Sequence, residues 1–276
     1  MSDAERIKIL MVINSLGAGG AEGVFALLAN TLSADGFVVE VLTLQNREDF
    51  YRLDNSVVRR QSEIMRPAKG IVQRAFVLGR RFREIRDVVS ESKPDLVISF
   101  MERANVFVLG ACRSLDTPTI VSERADPRST HSGWEVKLLR RVLYKRAARV
   151  VTVSRGVADY FTWLSPERLT VIHNPVKKLG HGGQTSAENF RFREGRRYIV
   201  TLGRLVPAKA HDVLIEAFRM IAKELPDWDL VIFGEGAKRA ALERAISDAG
   251  LENRVFLPGT TGDAARELER ADVFVL

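Results

Sequence analysis

Apolar runs of strand length alternate with helical patterns along the whole chain, and this alternation limits its possible folds more than any other feature. In the first part, strand-like runs lie at 7–13, 38–44, 96–100, 119–122, 150–153 and 169–172, with helical patterns at 21–32, 68–89, 104–112 and 136–147. A second series has strands near Tyr198, Leu230, Val255 and Val273. Such alternation is typical of parallel sheets covered by helices on both faces. The sequence therefore predicts an α/β protein with doubly wound sheets.

The stretch 177–188 separates the two series. It is polar and glycine-rich and follows Pro175, which is typical of a linker. We therefore expect a first domain at 1–178, a linker at 179–196 and a second domain at 197–276. Open α/β sheets bind ligands at the carboxyl ends of their strands, so two such domains would enclose a cleft between those ends.

Composition indicates a cytoplasmic protein with two cores. The 276 residues are 46% hydrophobic, enough for two buried interiors. The single cysteine, Cys112, lies in an apolar run and is expected to be a buried thiol. The polar start, 1–6, does not resemble a signal peptide, and no apolar run reaches membrane-spanning length.

Positive charge is concentrated in the first half of the chain. Residues 1–178 contain 28 basic and 20 acidic residues, and 179–276 contain 14 and 15. Lys137, Arg141, Lys145 and Arg149 recur every four residues, and Leu138, Leu139, Val142 and Leu143 occupy another side. This pattern predicts an amphipathic helix whose basic stripe meets an anionic membrane surface or an acidic acceptor, or is simply solvated. The basic segments have no exposed aromatic residues between their basic residues and no known motif for nucleic-acid recognition, so nucleic-acid binding is disfavoured.

A glycine and two cations follow the strand at 197–202. Gly203 and Arg204 come directly after it, and Lys209 lies five residues beyond Arg204. An arginine fork and a lysine point charge at the carboxyl end of a strand suit a diphosphate, and a glycine permits its close approach. Two solvated cations in a loop remain an alternative at this point.

A second glycine-rich turn, 14–22, follows the first strand and opens the first helix. Its backbone amides and the helix dipole could hold an anion. It matches the dinucleotide fingerprint only in part, and Gln45 and Asn46 stand where an acid would end the second strand, so NAD binding is disfavoured. No cluster of histidine, cysteine and carboxylate has metal-ligand spacing.

Six motifs in order carry a family resemblance. They are the turn at 14–22, Val-Thr-Val-Ser-Arg-Gly at 151–156, His-Asn-Pro-Val at 173–176, 203–209, Phe-Gly-Glu-Gly at 233–236, and 271–275. Together they resemble family 4 retaining glycosyltransferases of the GT-B fold, over essentially the whole chain. The resemblance implies two Rossmann-like domains and transfer of a hexose or N-acetylhexosamine from a nucleotide-diphosphate sugar, with UDP as the expected nucleotide, to a glycan or lipid-linked acceptor.

The resemblance also assigns roles. Arg204 and Lys209 correspond to the pair that holds the donor diphosphate and stabilises the leaving group, without a metal or other cofactor. On the donor side it adds Gly17, Gly19, Gly20 and Gly203 near the phosphates and sugar, and Pro258, Gly259 and Thr260 at the base. Glu102, Asn105 and Glu123 are acceptor-side candidates, with Glu102 also a catalytic candidate. A charge that complements the helix start is an equal alternative for Glu102.

Two departures from the family pattern stand out. Ala208 and Ala210 flank Lys209 where glutamine and glycine are common. The two glutamates expected after the strand at 271 are absent, which predicts an inactive fragment with an incomplete second domain. A GT-B nucleotide-sugar epimerase and a non-enzymatic nucleotide or membrane-surface binding module remain alternatives.

Overall fold

The computed structural model describes residues 6–62, 71–129, 132–175 and 190–276. The chain divides into two compact units, Met1–Pro175 and Val176–Leu276. The predicted linker, 179–196, lies outside the described residues up to residue 189. Within its described part, Phe190 and Phe192 pack against Tyr198 of the second unit.

The first unit is a parallel sheet with helices on both faces. Its strands are β1 (Lys8–Ile13), β2 (Val38–Thr43), β3 (Val58–Gln61), β4 (Leu96–Phe100), β5 (Thr119–Glu123), β6 (Arg149–Thr152) and β7 (Leu169–Val171). Its helices are α1 (Gly20–Ala34), α2 (Ile71–Ser92), α3 (Glu102–Ala111), α4 (Trp134–Leu143) and the short α5 (Arg155–Ala158). The strand order is β3-β2-β1-β4-β5-β6-β7. This is the doubly wound sheet that the alternation predicts.

Strand β1 explains why both faces are covered. Its apolar residues alternate between two cores, with Ile9, Met11 and Ile13 on one face and Leu10 and Val12 on the other. The first face packs against α1 and the second against α2. A strand buried on both sides reads as a continuous apolar run, which is why the sequence identifies it well.

One strand differs from the sequence prediction. Strand β3 was not predicted, because Val58-Arg-Arg-Gln has no apolar run and lies at the sheet edge beside β2. The predicted start of α2 at residue 68 lies outside the described residues.

Cys112 is buried, as expected, and burial raises the pKa of its thiol to about 11.

The second unit contains a smaller parallel sheet. Its elements are β8 (Arg197–Leu202), α6 (His211–Ile221), β9 (Trp228–Phe233), α7 (Arg239–Asp248), β10 (Val255–Gly259), α8 (Ala264–Glu269) and β11 (Val273–Phe274), in the strand order β10-β9-β8-β11. The strand predicted near Val273 is present as the two-residue β11. Val273 and Phe274 are each 42% exposed, because β11 lies at the sheet edge and pairs only with β8 among the described strands.

The strand orders locate a ligand-binding edge in each unit. In a doubly wound sheet, ligands bind beyond the carboxyl ends of the strands, at the point where the strand order reverses. In the first unit the order reverses between β1 and β4, and in the second it reverses between β8 and β11. The glycine-rich turn after β1 and the Gly203–Lys209 segment after β8 both begin at these points.

Candidate functional site

Backbone hydrogen bonds join the loops that follow β8, β9 and β10 into one surface. Gly203 N–H donates to the carbonyl of Phe233 at 2.9 Å, and Leu205 N–H donates to that of Glu235 at 2.9 Å. Gly234 N–H donates to the carbonyl of Gly259 at 2.8 Å. The loop that carries the two predicted donor-site cations is therefore fixed by its neighbours.

Glycine at position 234 is required by this close packing. A Cβ there would lie 1.9 Å from the carbonyl oxygen of Gly203, and the residue has φ +150°. At Gly203, by contrast, a Cβ would make ordinary contact with the side chain of Lys209, at 3.5 Å from Cδ. The aliphatic stem of Lys209 therefore lies beside the backbone of Gly203, and the approach of a donor phosphate to this glycine stays a prediction.

Arg204 and Lys209 are both exposed, and neither side chain has a hydrogen bond or ion pair with any described residue. Other cations on the same surface are engaged. Lys238 binds Asp212 at 2.9 Å, and Arg239 binds Glu235. Two unpaired cations at the point where the strand order reverses can receive a polyanion.

The N-terminus of α6 lies directly after Lys209. Ala210, its N-cap, has φ 48° and ψ 36°, in the left-handed region, and gives no side-chain cap. The family prefers glycine at this position, and the observed conformation supplies the reason. His211 is 4% exposed and its Nε2 has no partner among the described residues. Burial lowers the pKa of His211, and the charge of Lys209 adds to this effect, so the ring stays neutral beside the cations.

The predicted base-binding segment ends β10. Gly259 is buried with φ +98°, and its carbonyl accepts the bond from Gly234. Pro258 is partly buried and Thr260 is exposed. The end of β10 is therefore joined to the loop that adjoins Gly203, and contact of these three residues with the base stays a prediction.

A cavity of about 880 Å³ lies elsewhere in the second unit. It is lined by 190–196, Tyr198 and the arginines of α8 and the turn after it. Tyr198 is at the start of β8, whereas Gly203 follows its end. The cavity is therefore at the opposite end of the strand from the donor-site candidates.

In the first unit, the glycine-rich turn leads into α1 without a side-chain cap. Gly19 is the N-cap, in an extended conformation. A Cβ at Gly20 would meet nothing within 4 Å, and one at Gly17 would touch only Ser15 Oγ at 3.7 Å. Neither has positive φ. The fold itself does not demand these two glycines, so their small size is consistent with an approaching ligand.

Met101 carries a strained backbone where β4 passes into α3. Its φ of 76° and ψ of 142° are unusual for a residue with a side chain, and its N–H donates to the carbonyl of Ser122 at 2.9 Å. Such outliers concentrate at functional sites, where the surrounding structure maintains them. The sequence carried no signal for this strain.

Glu102 begins α3, as the helix-start alternative requires, but its principal contact is a buried ion pair. Arg140 Nη1 lies 2.6 Å from Glu102 Oε1, and Ser132 Oγ donates to Oε2. Arg140 is 1% exposed and also donates to Tyr160 Oη at 2.7 Å. The carboxylate of Glu102 is 10% exposed and is held in one orientation.

Asn105 and Glu123 belong to a buried hydrogen-bond network centred on Tyr144. Asn105 has no exposed surface, and its amide donates to Ser122 O at 3.0 Å and to Tyr144 Oη at 3.1 Å. Tyr144 in turn donates to Glu123 Oε1. Burial raises the pKa of Glu123 to about 7, against the opposing effects of the Tyr144 bond and the Arg140 charge. Direct contact of Asn105 or Glu123 with an acceptor does not fit this burial.

The basic stripe predicted on one helix was wrong in two respects. Helix α4 ends at Leu143, so Lys145 lies in a 3₁₀ turn and Arg149 begins β6, where Nη1 donates to the carbonyl of Glu167 at 2.5 Å. Of the apolar side predicted for this helix, Leu139 and Leu143 pack in the core but Leu138 and Val142 do not. Arg140 is buried by its pair with Glu102, whereas Leu138 and Val142 are 55% and 57% exposed.

The exposed face of α4 therefore combines apolar and basic groups. Trp134 is 71% exposed and precedes Leu138 and Val142 at intervals of four residues. Lys137 and Arg141 are exposed beside them.

Among the described residues, no helix is long and apolar enough to cross a membrane. Within the same part of the chain, no group of three or more histidine, cysteine or carboxylate side chains could hold a metal ion.

Comparison with known families gives two matches. The model described as Glycosyltransferase Family 4 matches residues 18–178, and the one described as Glycosyl transferases group 1 matches residues 184–276. Together they account for most of the chain and divide it close to the boundary between its two units.

Individual relatives agree with this division. A Campylobacter jejuni protein named GalNAc-alpha-(1->4)-GalNAc-alpha-(1->3)-diNAcBac-PP-undecaprenol alpha-1,4-N-acetyl-D-galactosaminyltransferase is 26% identical over 98% of this chain and 72% of its own length. The GDP-mannose-dependent alpha-(1-6)-phosphatidylinositol monomannoside mannosyltransferase of Mycolicibacterium smegmatis is 39% identical over 54% of this chain and 43% of its own.

A solved structure supports the fold. Alr3699/HepE of Anabaena, determined with UDP and glucose, matches with a TM-score of 0.70 and 17% identity, over 98% of this chain and 73% of that one. At this identity the match establishes the GT-B fold alone. With the model that covers 18–178, the chain belongs to Glycosyltransferase Family 4.

Proposed function

We propose that this protein transfers a hexose or N-acetylhexosamine from a UDP-sugar to a lipid-linked acceptor, with retention at the anomeric carbon. The observation that carries the proposal is the unpaired pair Arg204 and Lys209 where the strand order of the second sheet reverses. The printed names of the relatives support the lipid-linked acceptor, and the UDP of the solved structure supports the base. The name of one relative specifies GDP-mannose, so the identity of the nucleotide is the part of the donor assignment that a binding measurement must decide.

The chemistry follows from the leaving group. A nucleoside diphosphate that departs from an anomeric carbon gains negative charge, and Arg204 and Lys209 supply positive charge to it. Helix α6 contributes the positive end of its dipole directly after Lys209. Both cations are free to bind because no described carboxylate holds them. The departure of the diphosphate therefore needs no further cation from this chain.

On the acceptor side, the proposal assigns Glu102 to the binding or orientation of a sugar hydroxyl. Its buried pair with Arg140 fixes the carboxylate, and the strained Met101 fixes the start of the helix that carries it. Retention without a protein nucleophile then implies front-face attack by the acceptor hydroxyl on the same side that the diphosphate leaves.

UDP binding tests the donor assignment. Lys209→Ala removes one charge-assisted contact, worth about 1.5–3 kcal/mol, so we expect UDP affinity to fall about 10- to 100-fold in calorimetry. Lys223→Ala is the matched control, since Lys223 is an exposed lysine just beyond α6. Equal UDP affinity in the two variants would refute the diphosphate site.

A transfer assay tests the reaction itself. A UDP-sugar is supplied with and without a polyprenyl-diphosphate-linked glycan, and the product and its anomeric configuration are read by NMR. We expect an α-linked product from an α-linked donor, only when the acceptor is present. An epimerised sugar formed from the donor alone would instead favour the epimerase. The predicted inactivity of the 276-residue chain is tested by the same assay and stays a prediction.

We further propose that α4 attaches the protein to an anionic membrane surface, as a peripheral protein at the cytoplasmic face. Exposed Trp134, Leu138 and Val142 offer an apolar strip for the lipid interface, and Lys137 and Arg141 supply the charge. This differs from the predicted stripe, because apolar contact contributes as well as charge. Binding of the protein to vesicles of defined charge measures this attachment to the membrane surface.

A further inference from the structure

We propose that Arg124 forms an anion-binding site in the first unit, which recognises a phosphate or diphosphate ester of the acceptor. The inference deepens the proposed function and rests on it for the identity of the ligand. It begins from an arginine whose charge the described structure leaves uncompensated.

Arg124 follows β5 directly, at the carboxyl edge of the sheet. Its guanidinium lies 4.8 Å from the ring centroid of Phe100, the last residue of β4. Nη2 donates to Asn174 Oδ1, and Nη1 lies 3.4 Å from Ser122 Oγ. These neutral contacts and the aromatic face hold the planar group in one orientation, although none of them supplies negative charge.

Two other arginines near this edge have carboxylate partners. Arg140 binds Glu102 at 2.6 Å, and Arg128 binds Asp126 at 3.4 Å. Arg124 has no carboxylate partner among the described residues, and its Nε is buried without a hydrogen bond. Burial lowers the pKa of Arg124, and no neighbouring charge offsets that effect. A partly buried cation is costly unless an anion joins it, and here the anion must come from outside the described fold.

Phosphate is the chemical class that suits this arrangement best. A rigid, planar guanidinium binds phosphate oxygens through two parallel hydrogen bonds, and a partly buried fork loses little freedom when it does so. The proposed acceptor carries such an ester, and the unpaired donor-site cations belong to the other unit. The first unit therefore has its own group for a second anion.

Titration with inorganic diphosphate tests the site itself. In a Lys209→Ala background, which weakens the donor site, Arg124→Gln should reduce diphosphate affinity at least about 10-fold. Arg128→Gln is the matched control, because Arg128 already has Asp126, and it should change the affinity less than about twofold. Arg124→Lys keeps the charge without the fork and should retain intermediate affinity.

Thermal unfolding and circular dichroism verify that each variant is folded. Undiminished diphosphate affinity in Arg124→Gln overturns the proposal. If Arg124→Gln does not fold, the test uses Arg124→Lys instead. A diphosphate affinity of Arg124→Lys equal to that of the wild type would then count against recognition by the guanidinium fork. Because this titration needs no UDP-sugar or transfer, it succeeds or fails independently of the proposed transferase function.

Kinetics separate the acceptor phosphate from the donor phosphate. With a diphosphate-linked acceptor, Arg124→Gln should raise the acceptor KM about 10-fold and leave UDP affinity unchanged. With the same glycan on an uncharged alkyl chain, the wild type and the variant should have the same KM. A fall in UDP affinity, or an equal rise in KM for both acceptors, would overturn the assignment to the acceptor ester.

Discussion

Replacement of Glu123 by glutamine should change how the stability of the first unit depends on pH. Glu123 is 3% exposed, and its Oε1 accepts a hydrogen bond from Tyr144. Burial raises its pKa from 4.5 to about 7. Glutamine keeps the shape and an acceptor oxygen but cannot ionise. The comparison therefore isolates the cost of a charge in this buried network.

The magnitude follows from the linkage between protons and folding. Between pH 4.5 and about 7 the folded chain holds more protons at Glu123 than the unfolded chain, so the free energy of unfolding falls as pH rises. A carboxyl pKa raised from 4.5 to about 7 corresponds to about 3 kcal/mol, lost progressively over that interval. The advantage of Glu123→Gln over the wild type should grow by this amount between pH 4 and pH 8.

Urea unfolding at pH 4, 5, 6, 7 and 8 measures the difference, with hydrogen exchange of β5 amides identifying the transition of the first unit. Glu135→Gln, at an exposed position in the first turn of α4, is the control and should run parallel to the wild type. If the difference in the free energy of unfolding between Glu123→Gln and the wild type stays constant with pH, within about 0.5 kcal/mol, the titration of a buried Glu123 is refuted.

Two further predictions concern the loop before α6 and the exposed face of α4. Ala210→Gly should raise the free energy of unfolding of the second unit by about 1 kcal/mol, because the backbone of Ala210 is in the left-handed region, which glycine adopts without strain. Ala208→Gly is the control: the backbone of Ala208 has no positive φ, so this substitution should lower the free energy of unfolding by about 0.5 kcal/mol. Equal effects in urea titrations would contradict this. Lys137→Glu with Arg141→Glu should weaken flotation with anionic vesicles by on the order of 30-fold or more, and Trp134→Ala should weaken it further. Wild-type binding that is equal on neutral vesicles and insensitive to salt would exclude the electrostatic part.

The sequence by itself determined most strands of the two sheets and the position of Arg204 and Lys209 after a strand end. Buried parallel strands require continuous apolar runs, so β1, β4 and β9 were recognisable from local composition alone. Arg204 and Lys209 follow β8 directly, and the end of a parallel strand can lie only at the carboxyl edge of its sheet. Both inferences depend on residues that are neighbours along the chain.

The tertiary structure decided what depends on distant partners. Spacing alone grouped Leu138 and Val142 with Leu139 and Leu143, but only Leu139 and Leu143 pack in the core, where Arg140 is also buried beside Glu102, 38 residues earlier. The raised pKa of Glu123 depends in the same way on burial within the assembled unit. Helical periodicity identifies that a helix is amphipathic, but which residues at the border of its apolar side are buried depends on partners distant in sequence, which only the folded contacts determine.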